Sequence, residues 1–302
     1  MNTYIPKYIK EKSRGLLSKK IKQSTALLTS CTLCPRQCKV NRTKEEKGYC
    51  STGKKAFVSS FSAHFGEEHQ LVGDKGSGTI FFSNCNLKCI FCQNYDISVN
   101  GTGQEVEDES IASIMLYLQK IGCHNINLVT PSHVVPQILK ALDIAVDYGL
   151  NIPLVYNCSG YESIDTLRIL KNIIDIYIPD FKFWEPNISK IYCHAWDYPQ
   201  IARKAVKEMY DQVGDLKVNR AGLACSGLIV RHLVMPGNLD GTYHILKFLK
   251  EKISPHTHVN IMSQYHPMGE AGKIKELSCP LTPEEYRSAM QMAKKFDLKI
   301  IQ

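Results

Sequence analysis

"TIFFSNCNLKCIFCQNYDIS", residues 79 to 98, starts as an apolar run and breaks at Ser83 into a polar segment carrying Cys85, Cys89 and Cys92. The first part has the make-up of a buried parallel strand. For the second part, the spacing i, i+4, i+7 would also suit one face of a helix, where free cysteine is a common core residue. Asn86 and Lys88 between the thiols, with Gln93 and Asn94 just after them, argue for a loop instead. Three thiols on one short loop are an oxidation hazard unless a metal holds them. A closed zinc site or an ordinary ferredoxin cluster takes four protein ligands, yet the next cysteine is Cys123. A metal centre with one open position follows, such as a cube of four irons and four sulfides held at three corners.

Working outward, the strand-like opening recurs. "TIFFSNC", "NINLVTP", "PLVYNCSG", "IDIYIPDFK", "LIVRHLVMPG" and "HVNIMSQYHP" read as six buried strands, and helical patterns at 109–121, 133–148, 163–171, 199–213 and 240–252 alternate with them. Strand-helix alternation predicts repeated βαβ units, in a β/α barrel or an open α/β sheet. Either architecture gathers functional groups at the carboxyl ends of its strands. Reactive side chains do fall there in this chain: Cys85, Ser132, His133, Asn157, Ser159, Asp180, Lys182, Arg231, His232 and His266.

The spacing C-x3-C-x2-C, written here "CNLKCIFC" at the end of a first strand, resembles the signature of the radical S-adenosylmethionine (SAM) enzymes. Phe91 matches their usual aromatic before the last cysteine. The resemblance covers roughly residues 79 to 270 and implies a partial (β/α)6 TIM-like barrel holding a [4Fe-4S] cluster on Cys85, Cys89 and Cys92. It further implies that the open iron chelates SAM and that a low-potential donor such as flavodoxin or ferredoxin supplies an electron. Reductive cleavage of the sulfonium then gives a 5'-deoxyadenosyl radical; the cofactors carry this chemistry and the protein orients and shields them.

Within the family the chain is most similar to the pyruvate formate-lyase activating enzyme-like proteins. "IPDFKFW" matches their D-x-K pattern, which makes Asp180 and Lys182 SAM-site residues, and Arg231 in "LIVRHLVMPG" and His266 in "MSQYHP" carry over as SAM contacts. Most relatives have a Gly-Gly-Glu type element after the second strand to hold the SAM amine, whereas this chain has "NLVTPSHVVPQI". Thr130, Ser132 and His133 are the replacements at that position, and Asn157 and Ser159 of "YNCSGYE" join the cofactor-binding set. Another acid source is "AHFGEEHQLVG", with His64, Glu67 and Glu68, although an exposed acidic turn is the expected state of that segment.

A second group, "CTLCPRQCKVNRTKEEKGYC", spaces Cys31, Cys34, Cys38 and Cys50 as C-x2-C-x3-C-x11-C, with Gly48 allowing a tight turn before the last. Four thiols close a site, so zinc and an auxiliary iron-sulfur cluster both fit. Cys123, Cys158, Cys193, Cys225 and Cys279 have no ligand spacing and read as packing residues, with Cys158 placed at a strand end.

The chain has 302 residues, 44% of them hydrophobic, and 12 cysteines, seven of which fall in the two groups. That clustering suits reduced, metal-binding thiols and a cytoplasmic protein better than a secreted disulfide framework. No run is long enough for a membrane span, and the N-terminus lacks a secretory signal. Residues 1–30 carry seven Lys or Arg against one Glu, which is +6 of the formal +8. The body therefore has no basic signature for nucleic acid. The leader itself reads as a solvated packing helix, with a targeting peptide or a membrane-surface contact as alternatives. The expected organisation is a basic leader over 1–30, a four-cysteine metal-binding extension over 31–75 and the barrel over 76–302.

The function expected is that of a radical SAM oxidoreductase that abstracts hydrogen from a substrate, as a glycyl-radical activase or peptide-modifying enzyme does. A radical SAM enzyme acting on a small metabolite is the alternative within the class, and a non-catalytic iron-sulfur carrier or metal-binding module the alternative outside it. A barrel of six strands leaves a wide mouth with little chain to cover it, which suits a polypeptide substrate better than a buried metabolite.

Overall fold

A computed structural model describes residues 4–301 of the chain. The six strands expected from the sequence are β1 (Ser77–Phe82), β2 (Ile126–Val129), β3 (Leu154–Cys158), β4 (Ile176–Pro179), β5 (Ala224–Leu233) and β6 (His258–Met262). Each pairs in parallel with the next. Helices Asp108–Lys120, Val135–Asp147, Ile164–Leu170, Tyr198–Val213 and Leu239–Phe248 lie between consecutive strands. The result is an α/β fold, the partial six-stranded barrel expected from the strand-helix alternation.

Side chains on a strand alternate faces, and this separates two cores. Tyr156, Tyr177, Leu228, Val230 and Ile261 belong to the large cluster shared with the helices. Val155, Ile176, Ile178 and Ile229 form a smaller cluster with Leu71. Two residues further along the strands, the inward set turns polar: Asn157 follows Val155, Asp180 follows Ile178 and Arg231 follows Ile229. Register aligns these polar positions, because Arg231 bridges Asp180 on one side and pairs with Asn260 on the other. An apolar lower barrel thus supports a polar upper end.

The barrel does not close on itself strand to strand. Strand Ala56–His64 runs antiparallel to β1, with Val58 opposite Phe82 and His64 opposite Ser77. The sheet therefore crosses the boundary expected at residue 75. The chain then enters a one-turn helix, His69–Val72, whose Leu71 fills the lower interior. Glu67 and Glu68, just before that helix, reach Arg231 on β5, so an ion-pair network spans the open side.

The described part of the basic leader makes two helices, Lys7–Ser13 and Leu16–Ala26, separated by Gly15 in a left-handed conformation; residues 1–3 lie outside the described residues. It packs at the amino ends of the strands. The Tyr8 hydroxyl donates to the Ile152 carbonyl at 2.8 Å, and Lys12 pairs with Asp143 and Asp147, each at 2.8 Å. Among the described residues, no helix is long and apolar enough to cross a membrane.

Candidate functional site

The cysteine loop leaves β1 through residues chosen for turning. Asn84 and Lys88 both have positive φ, at 72° and 53°, a conformation that asparagine tolerates better than most residues. The Asn86 amide donates to the Tyr161 carbonyl at 2.8 Å, and the Cys92 N–H donates to the Cys89 carbonyl at 3.1 Å. The loop is therefore a pinned irregular turn, with helix only at Tyr95–Ser98 beyond it. Cys85, Cys89 and Cys92 line one cavity of about 490 Å³ at the carboxyl ends of the strands.

Burial and the neighbouring Cys89 push the Cys85 thiol up to about 12. Cys89 is raised by a contact to Cys193 and by burial, and Cys92 by burial and Cys89. Thiolates at these positions need a compensating cation, which is what a metal supplies as it displaces their protons. A three-thiol wall facing a cavity with polar strand ends opposite fits a cluster with an open corner and a polar ligand on it. Among the described residues, no three His, Cys, Asp or Glu side chains stand close enough to hold a single metal ion.

Of the other residues singled out from the sequence, Phe91, Asn157, Ser159, Asp180, Lys182 and Arg231 share that cavity. Phe91 is held by edge contacts to Phe183 and Tyr192, with ring centroids 5.8 and 6.5 Å away. Lys182 Nζ donates to Asp180 Oδ2 at 2.6 Å. Burial opposes the lysine's charge, but Asp180 and the nearby Cys89 outweigh it and keep the ammonium well above its ordinary range. Tyr198 fixes the strand end by donating to the Ser159 and Asp180 carbonyls and accepting from the Lys182 N–H.

Ser132, His133 and His266 are not in the cavity. Thr130 takes a left-handed φ of 59° and Pro131 follows, so the chain turns away after Thr130, which does line the cavity. Ser132 is buried against Glu162, to which its hydroxyl donates. His133 Nε2 donates to the Ser83 carbonyl at 2.9 Å, and its ring faces the other cysteine group. His266 is exposed next to the buried Tyr265, so that position of the Tyr-His pair points outward.

The "EE" of "AHFGEEHQLVG" is not an exposed acidic turn. Glu67 lines the cavity, and Glu68 is 1% exposed. Arg231 donates to both oxygens of Glu68, through Nε and Nη2 at 2.7 Å each, and Nη2 also donates to Glu67. Asn260 adds a bond to Glu68 at 2.9 Å. Burial alone would raise the Glu68 carboxyl, but the Arg231 charge and these hydrogen bonds hold it below the usual range. Sequence spacing could not reveal this group, because its partners lie 163 and 192 residues away. The same is true of Cys193, whose Sγ stands 3.3 Å from Cys89 Sγ across 104 residues. Cys158 also lines the cavity.

Cys31, Cys34, Cys38 and Cys50 surround a second, small cavity together with Arg42 and His133. Burial pushes Cys34 up to about 12. Gly48 is needed for clearance here, since a Cβ would stand 2.7 Å from Cys38 Cβ and 2.8 Å from its Sγ. The two cysteine groups are tied together by Arg36, which lies between Cys34 and Cys38 in sequence. Its guanidinium donates to the carbonyls of Asn86, His194 and Cys193 at 2.9, 2.6 and 3.1 Å and stacks on Tyr49 at 3.9 Å.

Comparison with known proteins gives a match to the family described as the radical SAM superfamily over residues 79–249. A relative in Methanocaldococcus jannaschii, "Uncharacterized protein MJ0674", is 32% identical over 294 residues, 95% of this chain and 81% of the relative. Among solved structures, Streptococcus suis SuiB bound to S-adenosylmethionine aligns over 72% of this chain at 12% identity with a TM-score of 0.46. Methylornithine synthase aligns over 74% at 14% identity with a TM-score of 0.48. The chain spans 47% of the SuiB chain and 63% of the synthase.

Proposed function

The chain belongs to the radical SAM superfamily, and from that premise we propose that it reductively cleaves SAM and abstracts a hydrogen atom from a residue of a polypeptide. A [4Fe-4S] cluster, when bound, supplies the electron that splits SAM into methionine and a 5'-deoxyadenosyl radical. Cys85, Cys89 and Cys92 would hold it, with Phe91 packed beneath the loop. The observation that carries the reading is one cavity bearing these three thiols on one wall and polar strand ends on the other. Lys182 offers an ammonium for the carboxylate of SAM. Glu67, beside Arg231, offers a carboxylate for its amine, in place of the Gly-Gly-Glu element the chain lacks. Asn157 and Ser159 add hydrogen-bonding groups. The electron donor would be a low-potential protein such as flavodoxin or ferredoxin, and the four-cysteine extension would hold a second metal centre.

The polypeptide substrate is supported by space. A cavity of about 490 Å³ falls within the ~300–1,000 Å³ that one cofactor-sized molecule fills, and here it must take both cluster and SAM. A substrate then meets the site at its mouth. Met268, 45% exposed, is next to Gly269, which packs against Tyr95 and the Ile90 carbonyl of the cysteine loop, and gives a peptide apolar footing. Activation of a glycyl-radical enzyme is one such reaction.

Anaerobically reduced protein should convert SAM to 5'-deoxyadenosine, and Cys89→Ala should abolish this. Retained cleavage in Cys89→Ala would refute the cluster assignment, and no cleavage by the intact protein would favour a carrier. Label moving from a deuterated peptide or protein partner into 5'-deoxyadenosine supports the substrate class. Efficient transfer from a small metabolite alone rejects it and leaves SAM cleavage standing.

A further inference from the structure

We propose that the outer edge of Ser60–His64, in the strand that flanks β1, docks an extended segment of the polypeptide substrate as an added strand. This rests on the reading that the substrate is a polypeptide and adds how its backbone is held.

The first support is an unpaired row of backbone groups. Strand Ala56–His64 pairs on its inner edge with β1, from Val58 opposite Phe82 to His64 opposite Ser77. On its outer edge, strand Gln104–Val106 covers only Ala56, Phe57 and Val58. In an antiparallel pair, alternate residues aim their N–H and C=O away from the partner, so Ser60–His64 presents such a row outward. Among the described residues no strand pairs with that row and no other group bonds to it. Ser60, Phe61 and Ser62 are exposed in succession, on both faces of the strand. Folded chains blunt a free edge with Lys, Pro, an irregularity or a cover. Here the register shift lies between Val58 and Ser60, ahead of the free stretch, and "SFSAH" carries no Lys, Arg, Asp, Glu or Pro. A bare edge of this kind suits pairing with another chain, where main-chain bonds give affinity and alternate side chains give selectivity.

The second support is where the two faces of that edge lead. Ser60, Ser62 and His64 stand opposite Phe81, Thr79 and Ser77, and directly opposed residues share a face. It is the face of the cavity: His64 and Phe81 both line the cavity, with ring centroids 6.1 Å apart, and Gly66 and Glu67 continue the lining just past the strand. Phe61 and Ala63 lie on the other face, opposite Ile80 and Gly78. There Phe61 meets Tyr117 edge-on at 6.1 Å, and the two rings are 43% and 51% exposed. An added strand therefore sets every second side chain on the side of this aromatic pair and the others beside two serine hydroxyls. Its continuation past His64 meets the cavity lining at Gly66 and Glu67. The chemistry selected is a neutral extended segment with apolar side chains at alternate positions. A second copy paired edge to edge would bring only the same strand, with no reacting residue for the cavity.

The test is amide hydrogen exchange of the intact, anaerobically prepared chain with a short peptide of alternating valine and threonine, capped by lysines for solubility. Exchange at Ser60–His64 should slow saturably as the peptide is raised to millimolar concentration. The same peptide with every amide N-methylated has no donors and should give no protection. Phe61→Ala should weaken the peptide by about fivefold, the worth of one aromatic cross-strand contact. No protection at millimolar peptide, or equal protection by the N-methylated form, would overturn the docking edge. Deuterium still passing from a labelled protein or peptide into 5'-deoxyadenosine would then leave the polypeptide reading standing. Protection in the peptide-free chain that grows with protein concentration would overturn the proposal in favour of a second copy on the edge. Unchanged affinity in Phe61→Ala would overturn the aromatic contact, and exchange in the parent chain decides the edge even where that variant fails to fold.

Discussion

Replacing Arg231 by Met removes the cation from a buried pair of carboxylates and keeps most of the side-chain volume. Glu68 loses two hydrogen bonds of 2.7 Å and retains only the 2.9 Å bond from Asn260. Removing one partner from a buried ion pair costs about 3–5 kcal/mol, because the remaining charge is stranded. At an m-value of about 3 kcal/mol/M in urea, the unfolding midpoint falls by roughly 1 to 1.7 M. The pH dependence should also change sign. In the parent chain Glu68 is held below its ordinary value, so its contribution is present above about pH 4.5 and is lost as pH falls through the folded value. In Arg231→Met burial is opposed only by the Asn260 bond and raises Glu68, so the variant gains stability as pH falls from neutrality toward 4.5. The assay is urea unfolding followed by circular dichroism from pH 5 to 8, anaerobically and at equal cluster content. Arg231→Met/Glu67→Gln/Glu68→Gln should recover much of the loss. A loss below about 1 kcal/mol, or no recovery on neutralising the carboxylates, would refute the claim that this network closes the open side of the barrel.

Burial raises Glu162 to about 7, with Tyr156 donating to it at 3.0 Å. Its share of stability is full below the ordinary carboxyl value and is lost as pH rises to about 7, some 3 kcal/mol at about 1.4 kcal/mol per pH unit. Thermal melts of Glu162→Gln should lack this slope, and an unchanged slope would place the titration elsewhere. Arg36→Ala should cost about 2–3 kcal/mol through lost hydrogen bonds and stacking. It should also speed amide exchange in residues 85–92 and 31–50 together, with Arg36→Lys rescuing little, because a point charge cannot serve three carbonyls in one plane. Exchange confined to one of the two segments would show that they are not coupled through Arg36.

Six strands and the cysteine loop were legible because their signals are local: an apolar run, then a break at Ser83, with polar residues between thiols. Asn157, Asp180 and Arg231 could be placed at strand ends for the same reason, since a period of two carries the inward face from apolar to polar positions along each strand. Ser132, His133 and His266 went astray because a loop after a strand has no such periodicity. A positive φ at Thr130 and the turn at Pro131 decide where those side chains go. Gly48 was expected to turn the chain, and what requires glycine there is the approach of Cys38.

The sequence by itself therefore determined the alternation of strand and helix, the three-thiol loop and the existence of a second, four-thiol group, all properties of neighbours within a few tens of residues. Tertiary structure alone decided that Glu67 and Glu68 are buried against Arg231, that Cys193 touches Cys89, that Arg36 joins the two cysteine groups and that Arg42 is enclosed with its guanidinium on the His133 carbonyl. Each of these depends on a buried charge or thiol finding its partner across a long stretch of chain. Burial is set by the packed whole, so no local pattern can report that two adjacent glutamates face an arginine rather than water.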